Sequence, residues 1–509
     1  MPESVKAFAV FLGLAAAFST AVPAQAQLKR KPQVTLPAPE KRLKAPEFPE
    51  KFKWLNTEQP LKLSGNLKGH VVVLDFWTYC CINCMHILPH LEYLEKKYAG
   101  KPVMIIGVHS AKFETEKKAE NIQQAIERYR IKHPVIVDED GALMYAYRHW
   151  GIRGWPSFAI IDPNGKVVGS TGGEKVRMQL DLVIEALLKE VEKKGTLAEK
   201  PLQIKPTYTI PGLDSLAYPG KITADEKGNR LIISDSNHDR IVITDPQGKV
   251  LQIVGSGKPG FQDGSLDKAR FKNPQGVAVD GHILYVADTD NHRIRKVDLD
   301  KKTVTTVAGD GKRFYASFEN RWGGKKGTDQ GIASPWDVEI DNGRLLIAMA
   351  GPHQLWTHTL ATGTTKVWAG SGREAVLDGP ARQAALAQPS GLVMHEGWLY
   401  FTDTEGSAIR RASLSDGRVE TLIGAEGRRD ALFVFGYKDG AFSDALLQHA
   451  VGIAKLDGKL IVADTYNNVI RQMDLENRKI TTIYGGKGEL DEPTGLAVFK
   501  GQIYIADTN

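Results

Sequence analysis

The chain has 509 residues, of which 42% are hydrophobic and 25% charged, and its formal net charge is +6. This composition is typical of a soluble globular protein and excludes general disorder, while the length predicts about three domains. The charge is spread along the chain, so it argues neither for nor against nucleic acid as a partner. With only three cysteines, the protein is not a disulfide-stapled scaffold.

The first 26 residues have the pattern of a secretory signal peptide. Lys6 precedes an apolar run at residues 7–18, and Ala24-Gln25-Ala26 supplies the small residues of a cleavage site. The run is shorter than the ~20 residues that a membrane span needs, although an uncleaved anchor helix is the alternative. We therefore expect cleavage after Ala26 and a periplasmic or otherwise exported protein with no membrane span.

The next segments predict a linker, a folded domain and a second linker. Residues 27–50 are rich in proline and charge, which predicts an extended tether. Residues 51–195 alternate apolar strands with helical patterns and finish with a hairpin around residues 162–165 and a closing helix. This order is typical of an α/β thioredoxin-like sheet. Residues 196–212 read as the second linker.

All three cysteines fall between an apolar strand at residues 71–76 and a helical pattern that continues to Tyr98. A thiol at such a junction faces unpaired backbone N–H groups and the positive end of a helix dipole, and both stabilise its thiolate. Cys81 and Cys84 form a C-x-x-C pair and predict a redox centre, with Cys81 as nucleophile and Cys84 as resolving thiol. A structural disulfide is the alternative, but so small a loop would add little stability.

The surrounding residues resemble the active-site segment of thioredoxin. Asp75-Phe76-Trp77 precedes the C-x-x-C pair, Pro89 lies in the following helix, and Gly154-Trp155-Pro156-Ser157 comes just before an apolar strand. The resemblance implies that Asp75 is a buried carboxylate that manages the Cys84 proton, with a pKa raised by burial.

The same resemblance implies a cis bond between Trp155 and Pro156, in a loop that holds the substrate backbone. Trp77 and Cys80 would complete the substrate-binding region. Cys80 is also a departure, because the family usually has tryptophan at that position. It is a third redox thiol, a substrate-facing replacement for tryptophan, or a ligand to Cu(I) together with Cys84 and a histidine. The candidate histidines are His86, His109 and His133.

Residues 213–509 are internally repetitive. Residues 231–241, 284–294, 345–355, 399–409 and 460–470 align with one another, and a sixth unit begins at Ile503. Short strands at a period of about 40 to 60 residues predict an all-β propeller. The A-D-T-x-N-H-R-I pattern resembles the NHL repeat. We expect six blades, with the sixth incomplete at Asn509, and a chain that is a fragment.

Some propeller positions carry recurring polar residues, for which we expect a structural role in turns and between blades. They are Asp235, Asp288, Asp403, Asp464 and Asp507 at one position, and His238, His292 and His353 at another. Met349 breaks the aspartate pattern in the third blade. An insertion at residues 313–327 precedes it, with Phe314, Tyr315, Phe318 and Trp322, and would either line a binding face or pack on its own domain.

The whole arrangement resembles the NHL repeat-containing protein 2 family, and the likeness covers roughly residues 52–509. The predicted signal peptide departs from the intracellular members of this family. Together with the thiol pair it predicts an exported thiol–disulfide oxidoreductase that uses Cys81 and Cys84, with no cofactor or metal. Its partners would be protein clients and a redox partner, with the propeller as a protein-binding module, and export argues against nucleic acid as a partner. Two alternatives remain: a copper-binding delivery protein of thioredoxin-like fold, and a non-catalytic interaction scaffold.

Overall fold

The computed structural model describes residues 34–192, 197–315, 322–486 and 488–509. They form two compact units, within residues 1–209 and within residues 210–509. The predicted signal peptide, residues 1–26, lies outside the described residues. Of the helices within the described ranges, none is both long and apolar enough to cross a membrane.

The first unit contains a six-stranded mixed sheet with helices on its faces. Its strands are β1 (Trp54–Leu55), β2 (Val71–Trp77), β3 (Val103–Ser110), β4 (Val135–Asp138), β5 (Ser157–Ile161) and β6 (Val167–Gly172). Its α-helices are α1 (Ile82–Met85), α2 (Leu88–Lys97), α3 (Ala119–Arg128), α4 (Ala142–Ala146) and α5 (Arg177–Glu192). The strand order is β1-β4-β3-β2-β5-β6, with β2, β3 and β4 parallel to one another. The predicted thioredoxin-like sheet is confirmed.

Strand β2 is buried along its whole length, as its run of apolar residues predicted. Side chains alternate between the two faces of a strand. Leu74 and Phe76 pack into the core on one face, whereas Val71 and Val73 pack with residues of α2 and α5 on the other. Asp75 therefore lies on the face that carries α2, where it is a polar residue in an apolar setting.

The helix predicted after the cysteines is split into α1 and α2. Pro89 lies in the first turn of α2, where its missing N–H breaks no intrahelical hydrogen bond. Cys81 is the N-cap residue of α1, which is a single turn. The groups that stabilise a thiolate here are therefore the local N–H groups rather than the dipole of a long helix.

The described part of the first predicted linker, and Leu202 and Ile204 of the second, pack on the first unit. Ala45 and Phe48 are buried, and Arg42 pairs with Asp162 at 3.0 Å and with Glu190 at 2.5 Å. Residues 34–50 are thus not an extended tether, because the buried ion pairs and Phe48 fix them to the domain. After the domain, Leu202 packs against the same core.

The second unit is a β-propeller whose sheets form the blades. The first two blades are β7 (Lys221–Asp225), β8 (Arg230–Asp235), β9 (Arg240–Thr244) and β10 (Val250–Val254), then β11 (Gly264–Ser265), β12 (Pro274–Asp280), β13 (Ile283–Asp288), β14 (Arg293–Asp298) and β15 (Thr303–Ala308). The third and fourth are β16 (Gly323–Lys326), β17 (Pro335–Asp341), β18 (Arg344–Met349), β19 (Gln354–Thr359) and β20 (Thr364–Ala369), then β21 (Pro389–His395), β22 (Trp398–Asp403), β23 (Ala408–Ser413) and β24 (Val419–Ile423). The last are β25 (Gly440–Ala441), β26 (Gly452–Leu456), β27 (Lys459–Asp464), β28 (Val469–Asp474) and β29 (Lys479–Gly485), then β30 (Pro493–Phe499) and β31 (Gln502–Asp507).

The innermost strands of successive sheets neighbour one another around a ring. Strand β30 neighbours both β26 and β7, so the two-stranded sheet closes the ring between the fifth blade and the first. We expected six blades with the sixth incomplete; the described residues form five complete blades, and the expected sixth is a sheet of only two strands.

The recurring aspartates are structural, as predicted. Each accepts a hydrogen bond from a backbone N–H of the segment that leads into its own blade. For Asp288 the donor is Lys272 at 2.8 Å, and for Asp464 it is Gln448 at 2.8 Å. A buried arginine completes the arrangement in several blades, as in the 2.7 Å pair of Arg295 with Asp288.

The recurring histidines need one correction. His292 and His353 each accept a hydrogen bond from a backbone N–H of the next blade, at 3.1 and 3.2 Å, and so join neighbouring blades as predicted. His238 is not at their position. It lies one residue earlier in the repeat and binds Asp235 of its own blade at 2.9 Å.

The third blade replaces the ion pair with apolar packing. Met349 takes the aspartate position, and Trp356 packs beside it in the same core cluster. Phe314, from the insertion, is buried with its ring centroid 5.0 Å from that of Trp356. The start of the insertion therefore packs on its own domain, while Phe318 lies outside the described residues.

Candidate functional site

The cysteine pair lies in the first turn after β2. The carbonyl of Cys81 accepts hydrogen bonds from the N–H of Cys84 at 3.0 Å and of Met85 at 3.2 Å. Among the described residues, Cys81 and Cys84 are not joined by a disulfide. The exposed fraction is 7% for Cys81, 3% for Cys84 and 0% for Cys80. Cys81 is thus the most exposed of the three, as a nucleophile should be.

Cys84 is held in its protonated form. Burial raises its pKa well above the usual value, and the hydrogen-bonded Cys81 thiol and the charge of Asp75 raise the pKa further. A backbone hydrogen bond at Thr78 acts in the opposite direction. Because the thiolate is the attacking species in disulfide exchange, Cys84 needs a base close by before it can act.

Asp75 has the properties of that base. Its carboxyl group is buried, which raises its pKa to about 7, while the neighbouring His133 lowers it. Its Oδ1 atom has no hydrogen-bond partner among the described residues. The burial and the raised pKa expected for Asp75 are confirmed. A carboxyl group with such a pKa can both take and return a proton near neutral pH.

The loop before β5 has the expected geometry. The Trp155–Pro156 bond is cis. Ser157 pairs with Phe76 between β5 and β2, so Pro156 lies beside the end of β2 from which the cysteine loop departs. The role of Trp155 and Pro156 in holding a substrate stays a prediction.

Trp77 and Cys80 do not form an open groove. Trp77 is 2% exposed and packs edge-on against His109, with ring centroids 4.9 Å apart. The alternation of β2 turns its side chain toward α2, so Trp77 supports the site from inside the domain. Cys80 is buried as well, and its N–H donates to Glu116 Oε1 at 3.0 Å. A substrate contact of Cys80 stays a prediction.

The three histidines considered as copper ligands are engaged with other groups. His86 Nδ1 lies 2.5 Å from Glu174 Oε1, and His133 Nδ1 lies 2.7 Å from Glu95 Oε1. His109 Nε2 accepts the N–H of Tyr79 at 3.3 Å, and burial lowers its pKa to about 3, which keeps this imidazole neutral. The geometry gives the copper alternative no support from these residues.

The sequence interpretation missed several buried polar residues around the thiols. Glu116 accepts the N–H groups of Cys80, Lys112 and Phe113 and so fixes the cysteine loop. His133 and Glu95 form a second pair below the site. These residues belong to separate elements. In the sequence, each of them is marked only as a polar residue beside an apolar run.

The comparisons with known proteins agree with this architecture. A thioredoxin-like family profile matches residues 69–167, and the NHL repeat profile matches residues 271–297. NHL repeat-containing protein 2 of Homo sapiens is 39% identical over 92% of this chain and 69% of its own length. Protein SUPPRESSOR OF QUENCHING 1, chloroplastic, of Arabidopsis thaliana is 43% identical over 91% of this chain. This chain spans 46% of the length of that plant protein.

The first unit also has shorter relatives. Thiol-disulfide oxidoreductase ResA of Bacillus thuringiensis subsp. konkukian is 32% identical over 23% of this chain and 62% of its own length. The thioredoxin-like part is thus homologous to a protein named as a thiol–disulfide oxidoreductase.

Proposed function

Because this chain belongs to the NHL repeat-containing protein 2 family, whose domain order it shares, we propose that it is an exported thiol–disulfide oxidoreductase. Cys81 is the nucleophile and Cys84 is the resolving thiol. Asp75 is the base that takes up and returns the Cys84 proton. The propeller recruits protein clients or a redox partner. The observation that carries the proposal is a buried thiol, Cys84, hydrogen-bonded to Cys81 and close to a carboxyl group whose pKa is about 7.

The chemistry follows from these groups. The Cys81 thiolate attacks a client disulfide, forming a mixed disulfide and releasing one client thiolate. Asp75 takes the Cys84 proton, and the Cys84 thiolate attacks Cys81 Sγ. The second client sulfur leaves, and Cys81 and Cys84 remain as a disulfide. The client is reduced by two electrons and the enzyme is oxidised by two. Oxidation of a client dithiol follows the same steps in reverse.

The Trp155–Pro156 loop is the proposed site for the client backbone. Its position beside the end of β2 suits an extended segment that approaches Cys81. The five complete blades supply a separate surface for protein recognition. Export depends on the first 26 residues, and amino-terminal sequencing of the mature protein would test cleavage after Ala26.

The decisive experiment traps the mixed disulfide. A Cys84→Ser variant should accumulate covalent adducts between Cys81 and clients that a reductant releases, because the resolving thiol is gone. A Cys81→Ser/Cys84→Ser double variant should trap nothing, and Cys80→Ser should behave as the wild type. If Cys84→Ser traps no adduct and the wild type leaves insulin disulfides intact, the proposed activity is wrong.

A further inference from the structure

An ion pair joins the helix of the cysteines to the turn that follows β6. His86 Nδ1 lies 2.5 Å from Glu174 Oε1, although the two residues are 88 positions apart in the chain. His86 is the C-cap residue of α1, and its N–H donates to the carbonyl of Ile82 at 3.0 Å. Glu174 lies in the turn between β6 and α5. The pair thus connects the end of α1 to a distant part of the chain.

The same turn is hydrogen-bonded to the loop that contains Trp155 and Pro156. The N–H of Gly173 donates to the carbonyl of Pro156 at 2.9 Å. Ser157, at the end of the loop, is the Cα partner of the last residue of β6. The loop is therefore fixed to β6 and to its turn. Glu174, the residue after Gly173, is held close to this loop by the same contacts.

An apolar contact lies beside the ion pair. Ile87, the residue after His86, and Val176, two residues after Glu174, are both buried in the same hydrophobic cluster. The side chain of His86 is 6% exposed and that of Glu174 is 23% exposed. Partial burial strengthens an ion pair because solvent and salt screen its charges less. This pair is thus better suited to fix geometry than a salt bridge on the open surface.

Helix α1 needs such a contact because it is a single turn. One helical turn is not stable without tertiary contacts, and a break at His86 and Ile87 separates α1 from α2. Cys81 is the N-cap residue of α1, and His86 is its C-cap residue. A contact that fixes the His86 end therefore restricts how α1, with Cys81 at its start, can tilt relative to the loop.

We propose that the His86–Glu174 pair positions the Trp155–Pro156 loop relative to Cys81 and thereby determines how well the enzyme accepts protein clients. The inference rests on the proposed function and identifies two positioning residues for it. A protein client must place its disulfide at Cys81 while its backbone lies along the loop, so the thiol and the loop must be correctly spaced. A small aromatic disulfide has no peptide backbone and needs only the thiol. The pair therefore matters for protein disulfides and not for small ones.

The experiment compares two substrates with the full-length protein. Insulin, with dithiothreitol as the reductant that regenerates the dithiol, represents a protein client. The small disulfide is 5,5′-dithiobis(2-nitrobenzoic acid). We expect His86→Ala and Glu174→Ala to lower kcat/KM for insulin about 10-fold, mainly through a higher KM, because the docking loop is displaced while the thiols are not. The first release of thionitrobenzoate should stay within about twofold of the wild-type rate.

Further variants test whether the two residues act as a pair. His86→Ala/Glu174→Ala should lose no more than either single variant, because the second substitution removes nothing once the pair is broken. Glu174→Gln keeps a hydrogen-bond acceptor for the imidazole and should recover most of the insulin activity. Glu185→Gln is the matched control, since Glu185 on α5 pairs with Lys97 on α2 at 2.7 Å. It should match the wild type with both substrates.

The outcomes separate the positioning role from the activity itself. If Glu174→Ala keeps the insulin kinetics of Glu185→Gln, the positioning role is wrong while the oxidoreductase activity stands. Equal losses with both substrates would assign the pair a structural role only, and additive losses in the double variant would show that the residues act independently; either result overturns the inference. If His86→Ala does not fold, the two Glu174 variants still decide the question. Failure of the wild type to reduce insulin would instead overturn the proposed function.

Discussion

Both units bury aspartates near the ends of central strands, but they treat these carboxylates differently. In the propeller, Asp288 accepts hydrogen bonds from the Lys272 N–H, from Asn291 and from Arg295 at 2.7 to 3.0 Å. In the thioredoxin-like unit, Asp75 is equally buried, yet its Oδ1 has no partner among the described residues. Burial raises the pKa of Asp75 to about 7.

This difference separates a carboxylate that stabilises the fold from one that can exchange a proton. Arg295 and the N–H donors lower the pKa of Asp288, but burial outweighs them and raises it to about 6, so the carboxylate is mostly charged at pH 7 and holds strands together. One that lacks them changes protonation at a pH where the protein works, at the expense of stability. The same residue type therefore has two roles, which its neighbours determine.

The largest expected effect is on the pH dependence of stability. The pKa of Asp75 is about 7 in the folded protein, above its value of 3.8 in a model compound. Between these values the folded protein keeps a proton that the unfolded chain loses, so stability falls as pH rises from about 4 to about 7. Relative to Asp75→Asn, we expect the wild type to lose on the order of 4 kcal/mol across this window. Urea unfolding of both proteins at pH 4 and pH 8 measures this difference, and equal behaviour would contradict it.

Removing a carboxylate that binds an arginine and several N–H donors should lower the free energy of unfolding. Asp288→Asn leaves the Arg295 guanidinium buried with one carboxylate fewer, and we expect a loss of about 3 kcal/mol in the free energy of unfolding. Asp263 still binds Arg295 at 2.6 Å, which keeps the loss at the lower end for such pairs. Disulfide exchange should not change. If Asp288→Asn lost disulfide exchange but kept its stability, this prediction would be wrong.

Asp75→Asn should also lower the rate of the resolving step, in addition to its effect on the pH dependence of stability. Without the carboxylate, no base takes the Cys84 proton, and we expect the resolving step to slow about 100-fold at pH 7. The protein is treated with 5,5′-dithiobis(2-nitrobenzoic acid), and stopped flow follows the release of the second thionitrobenzoate by Cys84. The first release, which forms the mixed disulfide at Cys81, serves as the internal control. A rate within a factor of three of the wild type would remove Asp75 from the mechanism.

The smallest expected effect is at Cys80. Cys80 Sγ lies 3.7 Å from Thr78 Oγ1, and serine is close to cysteine in size. Cys80→Ser should change insulin reduction by less than about threefold, which corresponds to about 0.65 kcal/mol. A larger loss would make Cys80 part of the redox chemistry.

Much of the fold could be predicted because it depends on local patterns. The apolar run of β2, the C-x-x-C pair and the propeller repeats are all visible within short windows of sequence. The split between α1 and α2 was missed because helical spacing continues through His86 and Ile87. Residues 34–50 were predicted to be extended because proline and charge dominate them, yet the pairing of Arg42 with Asp162 and Glu190 depends on residues far along the chain.

The sequence by itself determined the domain order, the position of the thiol pair and the identity of Asp75, because each depends on neighbours along the chain. Only the tertiary structure decided that Trp77 points inward, that Gly107 lies opposite Asp75 on the adjacent strand and that His133 pairs with Glu95. These contacts join β2, β3, α2 and the loop before β4, and no spacing along the chain encodes them. The electrostatic environment of a buried group is the sum of such distant neighbours, so the chemistry of Asp75 could not be derived before the chain was folded.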